Sequence, residues 1–322
     1  MRMGRQYICG AALLLALGAW VCSCGKKTAE QKPRARAAET TLLFSSDLLG
    51  HVRSCGCVVK DMGGLPRRAT YVEGVRASID NLVMVDAGDA FGPELDYAQK
   101  EADLTFESYT VMGLDAFTPG ETDFVFGLPF LEELAKRVTF NVVAANLVDP
   151  ATGQPIFGKT YAIKELKGGL RVGITGILDE SIRFPAYIDA SRFKVLPAAE
   201  TLKKLMPELR KNADFLVLLS HAGVDRSKAL ASEVPGFDLV VIGHGEPIIK
   251  DLQKSGGATM LATGGAGQFI GRIDLKLSGA GKIESGQMNL VPIEDTIELS
   301  SAVTELFKKY GVELTDKAAG KH

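Results

Sequence analysis

The chain has 322 residues, a formal net charge of -2 and 46% hydrophobic residues, which are ordinary values for a globular protein. This composition excludes a collagen-like, low-complexity or wholly disordered chain. The near-zero charge and a pI near 6.2 argue against a nucleic-acid polymer as partner, because that function needs a basic protein face.

Residues 1–23 have the pattern of a bacterial secretory signal, with a basic start and an apolar run too short to span a membrane. Ser23 precedes Cys24 in a sequence that resembles a lipobox, so we predict cleavage before Cys24 and lipidation of its thiol. Residues 24–39 are polar, basic and aperiodic, which predicts a flexible tether. We therefore expect a lipid-anchored protein of the cell envelope that faces the periplasm or the outer surface. The alternative is plain secretion.

After the tether, apolar runs typical of strands alternate with helical patterns. The pattern predicts strands over residues 41–46, 82–85, 114–118, 139–145, 215–219 and 239–242. It predicts helices near residues 65–79, 96–112, 128–137, 202–209 and 299–310. Pro207 should kink or end the fourth of these helices. Residues 160–178 have the pattern of a hairpin, and residues 258–292 that of consecutive antiparallel strands.

This succession of elements predicts an α/β fold in which a layered sheet carries helices on its outside. We expect one domain over residues 40–312, followed by a frayed tail over residues 313–322.

Acids and histidines cluster where the predicted strands end. In α/β sheets, ligands bind beyond the carboxyl ends of the strands, so separate loops should bring these side chains together. Imidazoles with carboxylates suit a divalent ion of the Zn, Mn or Fe type. For the acids the alternative is capping of the next helix, which we favour for Asp123. The strand-end residues are Asp47, Asp89, Glu121, Asp123, His221, His244 and Glu246.

Six sequence blocks resemble the calcineurin-like metallophosphoesterase domain of secreted 5′-nucleotidases and UDP-sugar hydrolases. In chain order they are FSSDLLGHVRSCGC, GGLPRRATYV, LVMVDAGDAFG, FTPGETDFVFG, LVLLSHAGVD and LVVIGHGEP. The resemblance covers about residues 40–292 and implies a layered β-sandwich flanked by helices. The CGC variant looks closest to the UshA-like (seleno)protein relatives, in which selenocysteine can occupy a redox position.

The resemblance also implies two metal ions that activate a bridging water for attack on phosphorus. It assigns Asp47 and the bridging Asp89 to this site, together with His221 and His244. Leu49 stands where the family has a metal-binding histidine.

Three further family positions are changed. Glu121 replaces a metal-binding asparagine, Thr122 replaces the histidine that assists the transition state, and Glu246 replaces the last histidine. We therefore expect one well-held ion on Asp89, Glu121, His221 and His244, and a weak or empty second position on Asp47, Asp89 and Glu246. Loss of the catalytic histidine predicts a rate lower by roughly 10²–10⁴-fold if that histidine acts by proton transfer.

Cys55 and Cys57 flank Gly56 in the loop that follows Asp47, and His51 lies in the same loop. A disulfide across one residue is expected to be strained and easily reduced, as redox-active disulfides are. The alternatives are a thiolate ligand in place of the imidazole missing at Leu49, or a purely structural disulfide. His51 is a further candidate for a catalytic role.

Three functional hypotheses follow. The leading one is an envelope lipoprotein with a remodelled metal site and a working dithiol, whose partner is a redox protein or a small phosphoester. The first alternative is an active metal-dependent phosphoesterase or 5′-nucleotidase. The second is a metal-stabilised binding protein without turnover.

Overall fold

Two six-stranded sheets form the centre of the fold in this computed structural model, which describes Met1 and residues 38–56, 60–93, 98–186 and 188–314. The helices are Leu65–Ser78 (α1), Gln99–Met112 (α2), Leu128–Arg137 (α3), Ala198–Asn212 (α4), Gly223–Glu233 (α5) and Ser301–Tyr310 (α6). The strands are Ala38–Ser45 (β1), Leu82–Asp86 (β2), Ala116–Phe117 (β3), Asn141–Val142 (β4), Leu147–Val148 (β5), Tyr161–Glu165 (β6), Arg171–Leu178 (β7), Lys194–Val195 (β8), Phe215–His221 (β9), Leu239–Gly243 (β10), Gln253–Ser255 (β11), Ala258–Leu261 (β12), Phe269–Leu277 (β13) and Ile283–Pro292 (β14).

Parallel strands dominate the middle of both sheets. The first sheet has the order β14-β13-β1-β2-β3-β4, and β1 to β4 run parallel to one another. The second has the order β11-β12-β10-β9-β7-β6, with β7, β9, β10 and β12 parallel. A short pair, β5 and β8, is separate. The carboxyl ends of several central strands therefore emerge in neighbouring loops.

Side chains that alternate along the central strands fill three apolar layers. In β9, Val217 and Leu219 pack between the two sheets, whereas Leu216 and Leu218 pack under α4 and α5. Residues of β1 and β2 divide in the same way, and their outward side chains pack under α1, α2, α3 and α6. Because both faces of these strands are covered, they are continuously apolar in sequence. The predicted fold class, a layered β-sandwich flanked by helices, is confirmed.

Several predicted elements are found with nearly the expected bounds. Helix α3 covers the predicted residues, and β6 and β7 form the predicted antiparallel hairpin. Helix α5 was not predicted. The expected strand over residues 139–145 is reduced to the two residues of β4.

One expectation about local structure is wrong in part, and another is wrong. Pro207 does not end α4, which continues to Asn212, because the exposed proline leaves the buried Leu202 and Leu209 packed on the sheet; the expected kink stays a prediction. Residues 258–292 do not form one antiparallel series, since β12 pairs parallel to β10 and belongs to the other sheet. The glycine-rich segment 264–267 connects β12 to β13 in the first sheet.

The described residues from 38 onward belong to one compact unit. The predicted signal, Cys24, the tether before residue 38 and the tail from residue 315 lie outside the described residues, so the domain boundaries stay predictions. Within the described part of the chain, no helix has both the length and the apolarity needed to cross a membrane.

Candidate metal centre

Four side chains from four separate segments of the chain meet at the strand ends. Asp89 follows β2, Glu121 lies in a 3₁₀ turn after β3, His221 ends β9 and His244 follows β10. Each offers one possible ligand atom, and these atoms all lie within 4.8 Å of one another. This is the four-residue set expected to hold the first ion, so the predicted convergence of distant loops is found.

His221 is fully buried and its ring is fixed by three contacts. Its Nδ1 lies 2.7 Å from the carbonyl oxygen of Ala87 and can donate a hydrogen bond to it. Its Nε2 then faces Glu121 Oε2 at 2.9 Å and Asp89 Oδ2 at 3.4 Å. A backbone carbonyl on one ring nitrogen commonly orients the other nitrogen toward a metal.

Glu121 lies between the two imidazoles. Its Oε1 is 2.9 Å from His244 Nδ1, although that nitrogen is outside hydrogen-bond geometry with any described group. The His244 side chain is 39% exposed, whereas that of Glu121 is 17% exposed. The four-residue group is thus largely buried, and solvent reaches it on the side of the His244 ring.

Charge in this group is balanced between acids and imidazoles. Burial alone would raise the pKa of Glu121, but the hydrogen bond with His221 and the close charged contact with His244 hold it well below its usual value. Burial opposes the charged form of His221, yet the carboxylates of Asp89 and Glu121 raise its pKa. The contact with Glu121 likewise raises the pKa of His244. The site therefore favours positive charge at its centre.

Asp123 stands beside the group and holds its loops together. Its carboxylate accepts backbone N–H bonds from Gly120 at 2.8 Å and from Asp89 and Ala90, both at 2.9 Å. It also accepts one from Phe91 at 3.1 Å. These contacts support the structural role favoured from the sequence, because they join the turn of Glu121 to the loop of Asp89.

Asp47 and Glu246, the other predicted ligands, are outside the four-residue group. Asp47 is buried, and its Oδ1 accepts bonds from the backbone N–H groups of His244 and Glu246 at 3.1 and 3.5 Å. Its Oδ2 is buried without a hydrogen-bond partner among the described residues. Burial raises the pKa of Asp47 to about 6. A second ion would therefore find one preformed acid here but no assembled ligand group.

Left-handed backbone is concentrated in these loops. Six described non-glycine residues have positive φ, and five of them belong to the ligand loops: Asp47, Leu49, Asp89, His244 and Glu246. Each such residue costs roughly 1–2 kcal/mol. Such backbone strain persists where many surrounding contacts hold the residue in place, and it is typically found at functional sites.

His51 and Cys55 are exposed and lie outside the four-residue group. Together with Arg53 and Gln268 they line a separate cavity of about 220 Å³. Cys55 is disulfide-bonded, and its partner sulfur lies outside the described residues. Cys57 also lies outside them, so a thiolate ligand in place of the imidazole missing at Leu49 stays a prediction.

The residues present fit one divalent ion. Two imidazoles and two carboxylates are a donor set typical of Zn, Mn or Fe-type ions. The oriented Nε2 of His221, the Nδ1 of His244 facing Glu121 Oε1 and the raised pKa values of both histidines all favour a cation among these atoms. A bound ion would act as a Lewis acid toward a phosphoryl oxygen and lower the pKa of a bound water.

No family model matches the chain. It is 28% identical over 298 residues to the 2′,3′-cyclic-nucleotide 2′-phosphodiesterase/3′-nucleotidase of Salmonella typhimurium, covering 80% of this chain and 46% of that protein. It is 25% identical to the human 5′-nucleotidase, covering 94% of this chain and 56% of the other. The calcineurin-like phosphoesterase YfkN from Bacillus subtilis superposes with a TM-score of 0.72 at 20% identity, covering 85% and 97% of the two chains.

The chain is a homologue of the 5′-nucleotidase group of metallophosphoesterases. It spans about half the length of the curated relatives it matches, 46% and 56% for the two described above. The predicted resemblance is thus confirmed at the level of this group, and the closeness to CGC-containing relatives stays a prediction. The metallophosphoesterase fold explains why ligands from both sheets meet at one edge.

Two features of this candidate metal centre were missed from the sequence. A Cβ built on Gly120 would come closer than 3.0 Å to Asp89 Oδ1 and to the His221 ring. Thr122 donates two hydrogen bonds to Asp89. The glycine directly before Glu121 was the available sequence signal for the tight packing at Gly120. The hydrogen bonds from Thr122 to Asp89 had no signal in the sequence.

We predict that Gly120→Ala removes tight metal binding. The φ of Gly120 is -102°, which any residue can adopt, so the reason is space: the new methyl group would displace Asp89 or His221. Gly74→Ala is the matched control, because a Cβ there meets nothing within 4 Å and alanine should stabilise helix α1 by roughly 1 kcal/mol. Calorimetric metal titration with unfolding curves measures both effects. Wild-type affinity in Gly120→Ala would contradict the described packing.

Proposed function

We propose that this domain binds one divalent ion on Asp89, Glu121, His221 and His244 and uses it to bind and slowly hydrolyse small phosphoesters. The single observation that carries the proposal is the convergence of these four ligand atoms within 4.8 Å. The homologues include nucleotidases and a cyclic-nucleotide phosphodiesterase, which supports phosphoester chemistry. The altered ligand positions support a slower reaction than a two-metal site would achieve.

The chain's own residues have distinct roles in this proposal. Glu121 and Asp89 supply negative charge that attracts the ion, and the Ala87 carbonyl orients His221 toward it. The partly exposed side of His244 leaves access for an anionic substrate. Thr122 offers no imidazole for proton transfer to the leaving group, which lowers the expected rate by roughly 10²–10⁴-fold.

The envelope location belongs to the same proposal. The signal-like start and the cysteine after Ser23 support export and lipidation of Cys24. A lipid on that residue would hold the domain at a membrane surface, where small soluble phosphoesters are the accessible substrates.

We predict one bound ion per chain and metal-dependent hydrolysis of a generic phosphoester or a nucleotide. Each of the variants Asp89→Ala and His244→Ala should abolish both properties, since each removes one of four ligands. The measurements are elemental analysis and turnover with Mn, Zn and Mg, on protein that begins at Cys24 and lacks the lipid. Glu133→Ala is the control, because this exposed glutamate pairs with the surface residue Lys136 on α3.

The outcomes separate the three hypotheses. Rapid turnover with two ions would replace the proposal by an ordinary two-metal phosphoesterase. One ion without turnover on any phosphoester would leave a metal-stabilised binding protein. Absence of a tightly bound ion would contradict all the metal-based hypotheses.

We predict that Leu49→His adds a second ion. The backbone N–H of Leu49 donates to the Asp89 carbonyl at 2.9 Å, and Asp47 Oδ2 is buried with no hydrogen-bond partner in the part of the chain that the structure describes. Histidine also tolerates the left-handed backbone at this position better than leucine does. Elemental analysis of Leu49→His should give two ions per chain. The control is Val111→His, which adds a histidine at an exposed position of α2 and should still give one ion per chain. One ion in Leu49→His would show that the second position needs more than an imidazole.

A second candidate function is thiol redox chemistry at Cys55. The disulfide of this residue is exposed at the edge of the cavity that His51 lines, and exposed disulfides are more often labile than buried ones. In the proposed step, an external thiolate attacks the disulfide and forms a mixed disulfide. A second external thiol then releases an external disulfide and the reduced protein. The CGC sequence supports this candidate.

We predict that the disulfide opens under mild thiol potentials without unfolding. Thiol titration across a glutathione series should show one two-electron step, while near-ultraviolet circular dichroism stays unchanged. Cys55→Ser should lack the step. Reduction that requires denaturant would assign the disulfide a structural role instead.

A further inference from the structure

Thr122 holds the carboxylate of Asp89 by two hydrogen bonds. The backbone N–H and the side-chain hydroxyl of Thr122 both donate to Asp89 Oδ1, at 2.9 and 3.0 Å. The other oxygen, Oδ2, is left facing His221 Nε2 at 3.4 Å. We propose that Thr122 is a positioning residue that orients Asp89 toward the ion, an inference that rests on the metal site proposed above.

The turn that carries Thr122 is joined to Asp89 by further hydrogen bonds. Its next residue, Asp123, accepts the backbone N–H groups of both Asp89 and Gly120. Its preceding residue, Glu121, is one of the four ligand residues. One 3₁₀ turn therefore supplies a ligand, fixes the backbone of a second ligand and orients the carboxylate of that ligand.

The chemistry of threonine suits this role. The branched side chain has few χ1 rotamers, so its hydroxyl is held in place at low entropic cost. Two donors on one carboxylate oxygen fix the plane of the group and leave the other oxygen for the ion. The single hydroxyl proton of Thr122 is already donated to Asp89, so it is not available to a leaving group. The residue thus stabilises the metal site rather than acting as an acid.

The test compares Thr122→Val with Thr122→Ser in the full chain without the lipid. Valine keeps the shape and the backbone N–H but removes the hydroxyl, whereas serine keeps the hydroxyl. Titration with Zn or Mn chloride at fixed pH should show affinity about 10–100-fold weaker in Thr122→Val. Thr122→Ser should bind like the wild type. Unfolding midpoints in EDTA show whether the metal-free proteins are equally stable.

The possible results are distinguishable. If the wild type binds one ion and Thr122→Val binds it equally well, the positioning role is wrong while the proposed metal site stands. Equal weakening in the valine and serine variants would also overturn it, because the hydroxyl would not be the cause. If the wild type itself fails to bind an ion tightly, the proposed function fails and the inference with it.

Discussion

The placement of the His221 ring between the two sheets is the constraint on which the site depends. The ring ends a strand of one sheet, and its Nδ1 lies 2.7 Å from the Ala87 carbonyl beyond a strand of the other. A Cβ on Gly88, Gly120 or Gly243 would come closer than 3.0 Å to this ring. Three loops can approach His221 together because each has a glycine at the point of contact.

The close approach of these segments to His221 concentrates charged side chains in a largely buried site. Two carboxylates and two imidazoles share the space. The carboxylates raise the pKa of the imidazoles, and the imidazoles lower the pKa of Glu121. The loops also adopt left-handed backbone at non-glycine residues, including Asp89 and His244, which costs free energy. Tertiary packing maintains this arrangement, and a divalent ion would stabilise it further by replacing protons at the centre.

Two residues, Leu49 and Thr122, stand where the related family has histidines. In the family, one of these histidines binds a second ion and the other assists the transition state. Leu49 keeps the backbone hydrogen bond to Asp89 but offers no ligand atom. Thr122 offers two hydrogen bonds to the same residue instead of an imidazole. Both residues therefore keep a hydrogen bond to Asp89 while offering no imidazole.

The sequence by itself determined the elements whose pattern is local, and the residue types at the strand ends. The bounds of α3, the hairpin of β6 and β7 and the four residues that meet at the candidate metal centre were all predicted, because periodicity and strand-end position are properties of neighbouring residues. Only the tertiary structure decided that Pro207 stays within α4 and that β12 joins β10. It alone brought Thr122 to Asp89, because hydrogen bonds between residues distant along the chain depend on how the loops pack together.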